Sequence, residues 1–158
     1  ALIRKSDIYV LDVYRAKLQF PDLIRRVVDQ ARKCQTNFLL IEDAASGQQL
    51  LQILRRETRL GVPRPIPRKP EGDKVTRFAA QSARIESGEL LLPKDAPWLA
   101  ELERELLGFP NRKNDDQVDA LTQLLAWDSV RSNRSSVGFS DDPCLMPKLF
   151  EGRNPILY

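Results

Sequence analysis

The feature that most limits how this chain can fold is an apolar run, Phe38-Leu-Leu-Ile41, that halts at Glu-Asp-Ala-Ala-Ser-Gly over residues 42–47. A strand solvated on one face alternates apolar and polar residues. A short unbroken run, as in "NFLLI" from Asn37 to Ile41, is what a strand covered on both faces requires. The surrounding segments supply the cover. "DIYVLDV" (Asp7 to Val13) is rich in β-branched and aromatic residues with a partial two-residue period and reads as another strand. Pro21 and Asp22 open a helix to about Lys33, with Leu23, Ile24, Val27, Val28 and Ala31 on one face. After Gly47, Leu50, Leu51 and Leu54 predict a second helix to about Leu60, where Gly61 and Pro63 stop it. "PRPIPRKPEG" (63–72) is an exposed connection with at most a short strand at Ile66. Asp73 caps a third helix from Lys74 to about Glu86, with Val75, Phe78, Ala79 and Ser82 inward and Gly88 closing it. "ELLLP" is a brief strand, "APWLAELERELLGF" an amphipathic helix led by Pro97, and a last helix runs through about Arg131. Strand alternating with helix predicts an α/β fold. The 158 residues suit one domain with a real core, and the Ser-, Asn-, Gly- and Pro-rich stretch from Ser132 onward reads as a tail.

Two absences narrow the chemistry. The chain has no histidine, which excludes Ser-His-Asp triads, His general bases and His-ligated zinc or copper unless another chain supplies them. Cys34 and Cys144 have no CxxC spacing, so neither a disulfide framework nor a zinc site is expected, and a reducing compartment is the default. No GxxxxGK[ST] or GxGxxG loop is present, no apolar run approaches the ~20 residues of a membrane span, and the start shows no signal-peptide pattern. Carboxylates and a hard metal are what remain for an enzyme.

The acids stand in two places. "NDDQVDAL" (Asn114 to Leu121) crowds Asp115, Asp116 and Asp119 at the mouth of an apolar helix, where side chains three and four apart repel one another. The helix offers one compensation: Asn114 is a good N-cap, and first-turn aspartates meet the positive end of the macrodipole. A divalent cation offers another. The second place is Glu42 and Asp43, just past the buried strand, where α/β sheets gather functional groups beyond strand carboxyl ends. Asp43 also suits an N-cap for the helix beginning near Ser46. Together the clusters could converge on one or two Mg2+ or Mn2+ ions, which take oxygen ligands and hydrolyse phosphodiesters by activating water and stabilising the leaving oxygen. The basic stretch from Arg55 to Arg77 suits a polyanion or, equally, a solvated loop. Within it Lys74 and Arg77, three apart on one helix face, are the first candidates for backbone phosphates, with Arg68 and Lys69 beside them.

Three blocks in order, "LLIEDAASGQQLLQIL", "GDKVTRFAAQSARIESGELLLP" and "NDDQVDALTQLLAW", resemble the C-terminal nuclease domain of the large terminase subunit of tailed bacteriophages or prophages, from about Ile8 to Asp128. The resemblance implies a ribonuclease H-like mixed sheet with helices on both faces, and a metal-dependent endonuclease that cuts concatemeric double-stranded DNA during packaging. Further implied are two metal ions (Mg2+ or Mn2+), an ATPase domain of the same polypeptide, portal and small-terminase partners, and the cytoplasm of a bacterial host with no membrane. By the same resemblance Glu42 is the acid after the fourth strand, and Asp115 and Asp116 include the acid opening the last helix. Asp43 and Asp119 stand in reserve. The family's first-strand aspartate has no counterpart here, because "ALIRKSDIYVLDVYR" resembles the second and third strands. The expectation is therefore a nuclease domain over 1–131, incomplete at its N-terminus and weak or inactive alone, with a tail over 132–158. Two alternatives remain, a non-catalytic DNA-binding module and a portal-docking element that uses Leu145, Met146, Phe150, Ile156 and Leu157 of the tail.

Overall fold

The structure, a computed structural model, describes residues 1–70, 72–112 and 114–134. The tail beyond Arg134, with its apolar docking candidates, lies outside the described residues. In chain order the elements are β1 (Leu2–Arg4), β2 (Asp7–Tyr9), α1 (Phe20–Lys33), β3 (Leu40–Glu42), α2 (Ser46–Arg56), β4 (Ile66–Arg68), α3 (Lys74–Glu86), β5 (Leu90–Leu91), α4 (Leu99–Gly108) and α5 (Asp116–Arg134), with a single 3-10 turn at Thr58–Leu60. The chain is α/β as predicted. Its described residues divide into two compact units, one within Ala16–Glu71 and one of Ala1–Arg15 with those from Gly72 to Arg134.

In the Ala16–Glu71 unit, β3 and β4 pair in parallel, with Leu40 opposite Ile66, Ile41 opposite Pro67 and Glu42 opposite Arg68. Pro67 has no N–H to donate, which suits a strand bonded on one flank. Val28 of α1, Ile41 of β3 and Leu50, Leu51 and Leu54 of α2 form the core, with Leu23, Ile24 and Val27 packed against it, so the apolar face predicted for α1 is the one that is buried. The apolar run behaves differently at its two ends. Ile41 is buried, but Phe38 is exposed and the strand starts only at Leu40, because β4 offers a three-residue partner. The strand end meets the next helix closely: a Cβ on Gly47 would collide with the carbonyl oxygen of Glu42. Ala45 turns the chain between them at φ 44°, ψ −122°, a conformation L residues rarely adopt.

In the other unit, β1 and β2 form an antiparallel pair and β5 joins β2 in parallel, giving the order β1-β2-β5. The strand predicted over Asp7 to Val13 ends at Tyr9, although Val10 N still donates to Leu91 O. Its partner β5 is two residues long, and the ladder stops with it. Ile8, Leu90, Leu125 and Val118 are almost wholly enclosed, joined by Leu102 and Leu106 of α4 and Leu121 of α5. The face expected of α3 is corrected. Asp73 caps it as predicted, accepting from Thr76 N at 3.0 Å, but Val75 and Ala79 are exposed. Phe78 and Ile85 reach the core, and the rest of the seam with α5 is ionic, through Arg77 and Arg84.

Candidate active site

The start of α5 presents Asp116 and Asp119 in its first turn, with Asp115 just before it. Asn114 is not its cap: the helix begins at Asp116, two residues later, and Asp119 N donates to the main-chain oxygen of Asp115 at 2.9 Å. The free amides at a helix start need acceptors. Here one residue of α4 supplies them. Glu105, only 3% exposed, accepts from Gln117 N at 2.7 Å, Val118 N at 3.1 Å and Gln117 Nε2 at 2.9 Å. A buried carboxylate at the positive helix end thus clamps the turn from across the fold. The sequence carried a signal for it, an acid at the helical spacing of Leu102 and Leu106, on the face otherwise apolar.

Each acid of the turn meets a different cation. Lys74 Nζ donates to Asp115 Oδ1 at 2.8 Å, and Arg77 Nη2 to Asp119 Oδ1 at 2.6 Å. Arg15 Nη2 lies 3.5 Å from Asp116 Oδ2, while its Nη1 donates to Glu101 at 3.1 Å and stands 3.8 Å from Glu105. The mutual repulsion read from the sequence is therefore offset by side chains from α3 and the segment after β2. The hydrogen bond to Asp115 holds the Lys74 ammonium above its ordinary pKa; desolvation opposes this, and the charges of Asp115, Asp119 and Asp116 add to it. A raised folded-state pKa contributes stability below the ordinary value of 10.5 that is lost as the pH rises through the folded value. Arg77 also donates to Gly72 O at 2.7 Å, so its guanidinium braces the loop before α3 as well as Asp119. Two of the cations expected to meet phosphate, Lys74 and Arg77, thus already bind acids of the site.

The other predicted acids belong to the Ala16–Glu71 unit. Glu42 ends β3 and is exposed, in register with Arg68 of β4, while Asp43 N donates to Arg68 O at 2.8 Å. Asp43 does not cap α2, whose cap position is Ala45 and has no side-chain hydrogen bond. The parallel pairing of β3 with β4 is what sets Arg68, a predicted phosphate contact, beside Glu42; Lys69 follows it directly.

The donors fit a hard divalent cation in kind, being carboxylate oxygens throughout. Among the described residues no three acidic or thiol side chains are gathered closely enough to hold a metal ion. At the start of α5, Asp115, Asp116 and Asp119 are instead paired with three different cations, Lys74, Arg15 and Arg77. No helix among the described residues is long and apolar enough to cross a membrane.

The sequence matches the profile of a family described as "Terminase RNaseH-like domain" over residues 3–126. No curated protein and no solved structure matches it. With that match spanning most of its length, the chain belongs to the terminase RNaseH-like domain family, a nuclease-type domain of the DNA-packaging machinery.

Proposed function

We propose that the chain is a metal-dependent endonuclease domain that cuts concatemeric double-stranded DNA, with Asp115, Asp116 and Glu42 as its metal-ligating acids and Asp43 and Asp119 in reserve. The observation that carries this reading is the triple-acid start of α5, fixed by Glu105, in a member of this family. Mg2+ or Mn2+ held by such carboxylates would supply an activated water and charge neutralisation at the leaving oxygen. The chain's own contribution is placement. Glu105 fixes the turn, Arg77 holds Asp119, and Lys74 bonds Asp115 from an exposed position where a DNA phosphate can draw it away. Arg68 and Lys69 of the β4 strand end would grip the backbone without reading bases. Double-stranded DNA, portal, small subunit and an ATPase domain of the same polypeptide are the partners this reading implies.

The test is cleavage of linear double-stranded DNA with Mn2+, comparing the wild-type chain with Asp116→Asn and Glu42→Gln. Slow cutting by the wild type, abolished by EDTA and lost in each variant, is expected. DNA binding that ignores both metal and variants, with no cutting, would sink the nuclease reading in favour of a binding module.

A further inference from the structure

A second basic surface, not in the Arg55 to Arg77 stretch, flanks the acid turn. A cleft of about 460 Å³ is lined by Arg15, Arg104, Arg112, Asn111 and Asn114 together with Glu101 and Glu105. The carboxylates in it are committed: Glu105 to the amides of α5 and Glu101 to Arg15. Among the described residues, Arg104 and Arg112 have no carboxylate partner, in contrast to Lys74, Arg77, Arg84 and Arg131. Both arginines are exposed, so their charges are open to an anion entering the cleft.

The backbone is shaped to bring them there. Gly108 is four residues after Arg104, on the same face of α4, and a Cβ on it would collide with the Cδ of Arg112, so the Arg112 side chain folds back over the last turn of the helix. The connection is anchored as well: Asn111 N donates to Gly108 O at 3.0 Å, and the Phe109 ring packs on Phe78 with centroids 5.0 Å apart. Asn111 and Asn114 add neutral donors at the rim. Paired arginines with exposed amide donors match phosphate oxygens, and contacts of that kind position a duplex without reading its sequence.

We propose that this cleft, with Arg104 and Arg112 as its phosphate ligands, seats the sugar–phosphate backbone of the DNA next to the acid turn. The identity of the polyanion rests on the nuclease reading above; the anion site itself rests on the cleft. The test measures anisotropy of a short fluorescein-labelled duplex against salt for the wild-type chain, Arg104→Ala/Arg112→Ala, and the equally charged control Lys33→Ala/Lys94→Ala, with cleavage assayed in parallel. The cleft variant should bind about tenfold more weakly at low salt and lose about two units of the log–log salt slope. The control should change by less than about twofold. Gly108→Ala, which keeps every charge but displaces Arg112, should weaken binding several-fold while leaving the helix intact. Equal losses in cleft variant and control, or no loss in the cleft variant, overturn the proposal even if the wild type cleaves DNA. A selective loss in the cleft variant together with a wild type that neither cleaves the duplex nor binds it more tightly with Mn2+ upholds the cleft and overturns the nuclease reading. A wild type that does not bind the duplex overturns both.

Discussion

Glu105 does more for the candidate site than any residue singled out from the sequence. It is not an acid of the turn, yet its buried carboxylate satisfies two amides and an amide side chain at the start of α5. Removing it leaves buried donors without acceptors, at about 1–3 kcal/mol each. Glu105→Ala should therefore destabilise the chain by about 3 kcal/mol, and Glu105→Gln by less, because the amide oxygen still accepts one bond while its NH2 faces donors. Urea unfolding of the three proteins checks the order; equal stability would remove the clamp. The sequence predicted Asp115, Asp116 and Asp119 as a group, and they do stand together at the start of α5. What it could not assign was their partners. The Lys74–Asp115 and Arg77–Asp119 pairs join residues 41 and 42 positions apart, and no local pattern encodes which cation meets which acid.

Among the elements, α3 was predicted to the residue in its bounds and misjudged in its face. Capping by Asp73 is a local interaction, legible from the Asp and the Thr that follows at the right spacing. The buried face depends on the neighbour. α5 presents Asp119 and Asp128 to α3, so the contact side of α3 is the one carrying Arg77 and Arg84, while Val75 is left outside. Asp128 is 1% exposed and bonds Arg84 at 3.0 Å and Arg131 at 3.1 Å. Arg84 also reaches Glu89, Leu125 O and Ser129, tying α3, the start of β5 and α5 together. Burial lowers the Arg84 pKa, but the hydrogen bonds it donates to Glu89 and Asp128, with the charges of those two acids, outweigh it and raise the pKa above its ordinary value. Deleting one partner of such a network leaves the other charge enclosed and costs about 3–5 kcal/mol. Asp128→Ala should fall near the lower figure, since Glu89 remains on Arg84, and the Arg84→Met/Asp128→Leu double variant should recover much of the loss. Chemical unfolding measures both; a double variant no better than the single one would deny that the charges are coupled.

For the whole molecule, the metal reading has a consequence that needs no DNA. An ion that binds only the folded chain raises its stability, by about 2.7 kcal/mol at a hundred times its Kd. Mn2+ should therefore raise the Tm of the wild-type chain, EDTA should reverse the rise, and Asp116→Asn and Glu42→Gln should each suppress it in differential scanning fluorimetry. A rise that both variants retain would place the ion elsewhere. The sequence by itself determined the α/β order, the bounds of α1 and α3 within a residue, the family and the acids worth testing, because periodicity, capping and motif order are written within a few neighbouring positions; α2 ends at Arg56, short of the Leu60 expected. Only the tertiary structure decided that Lys74 and Arg77 meet acids of α5, that Glu105 clamps the turn in place of Asn114, and that Arg104 and Arg112 share a cleft. Charge pairing is settled by whichever groups packing brings within a few ångströms, and sequence distance does not measure that.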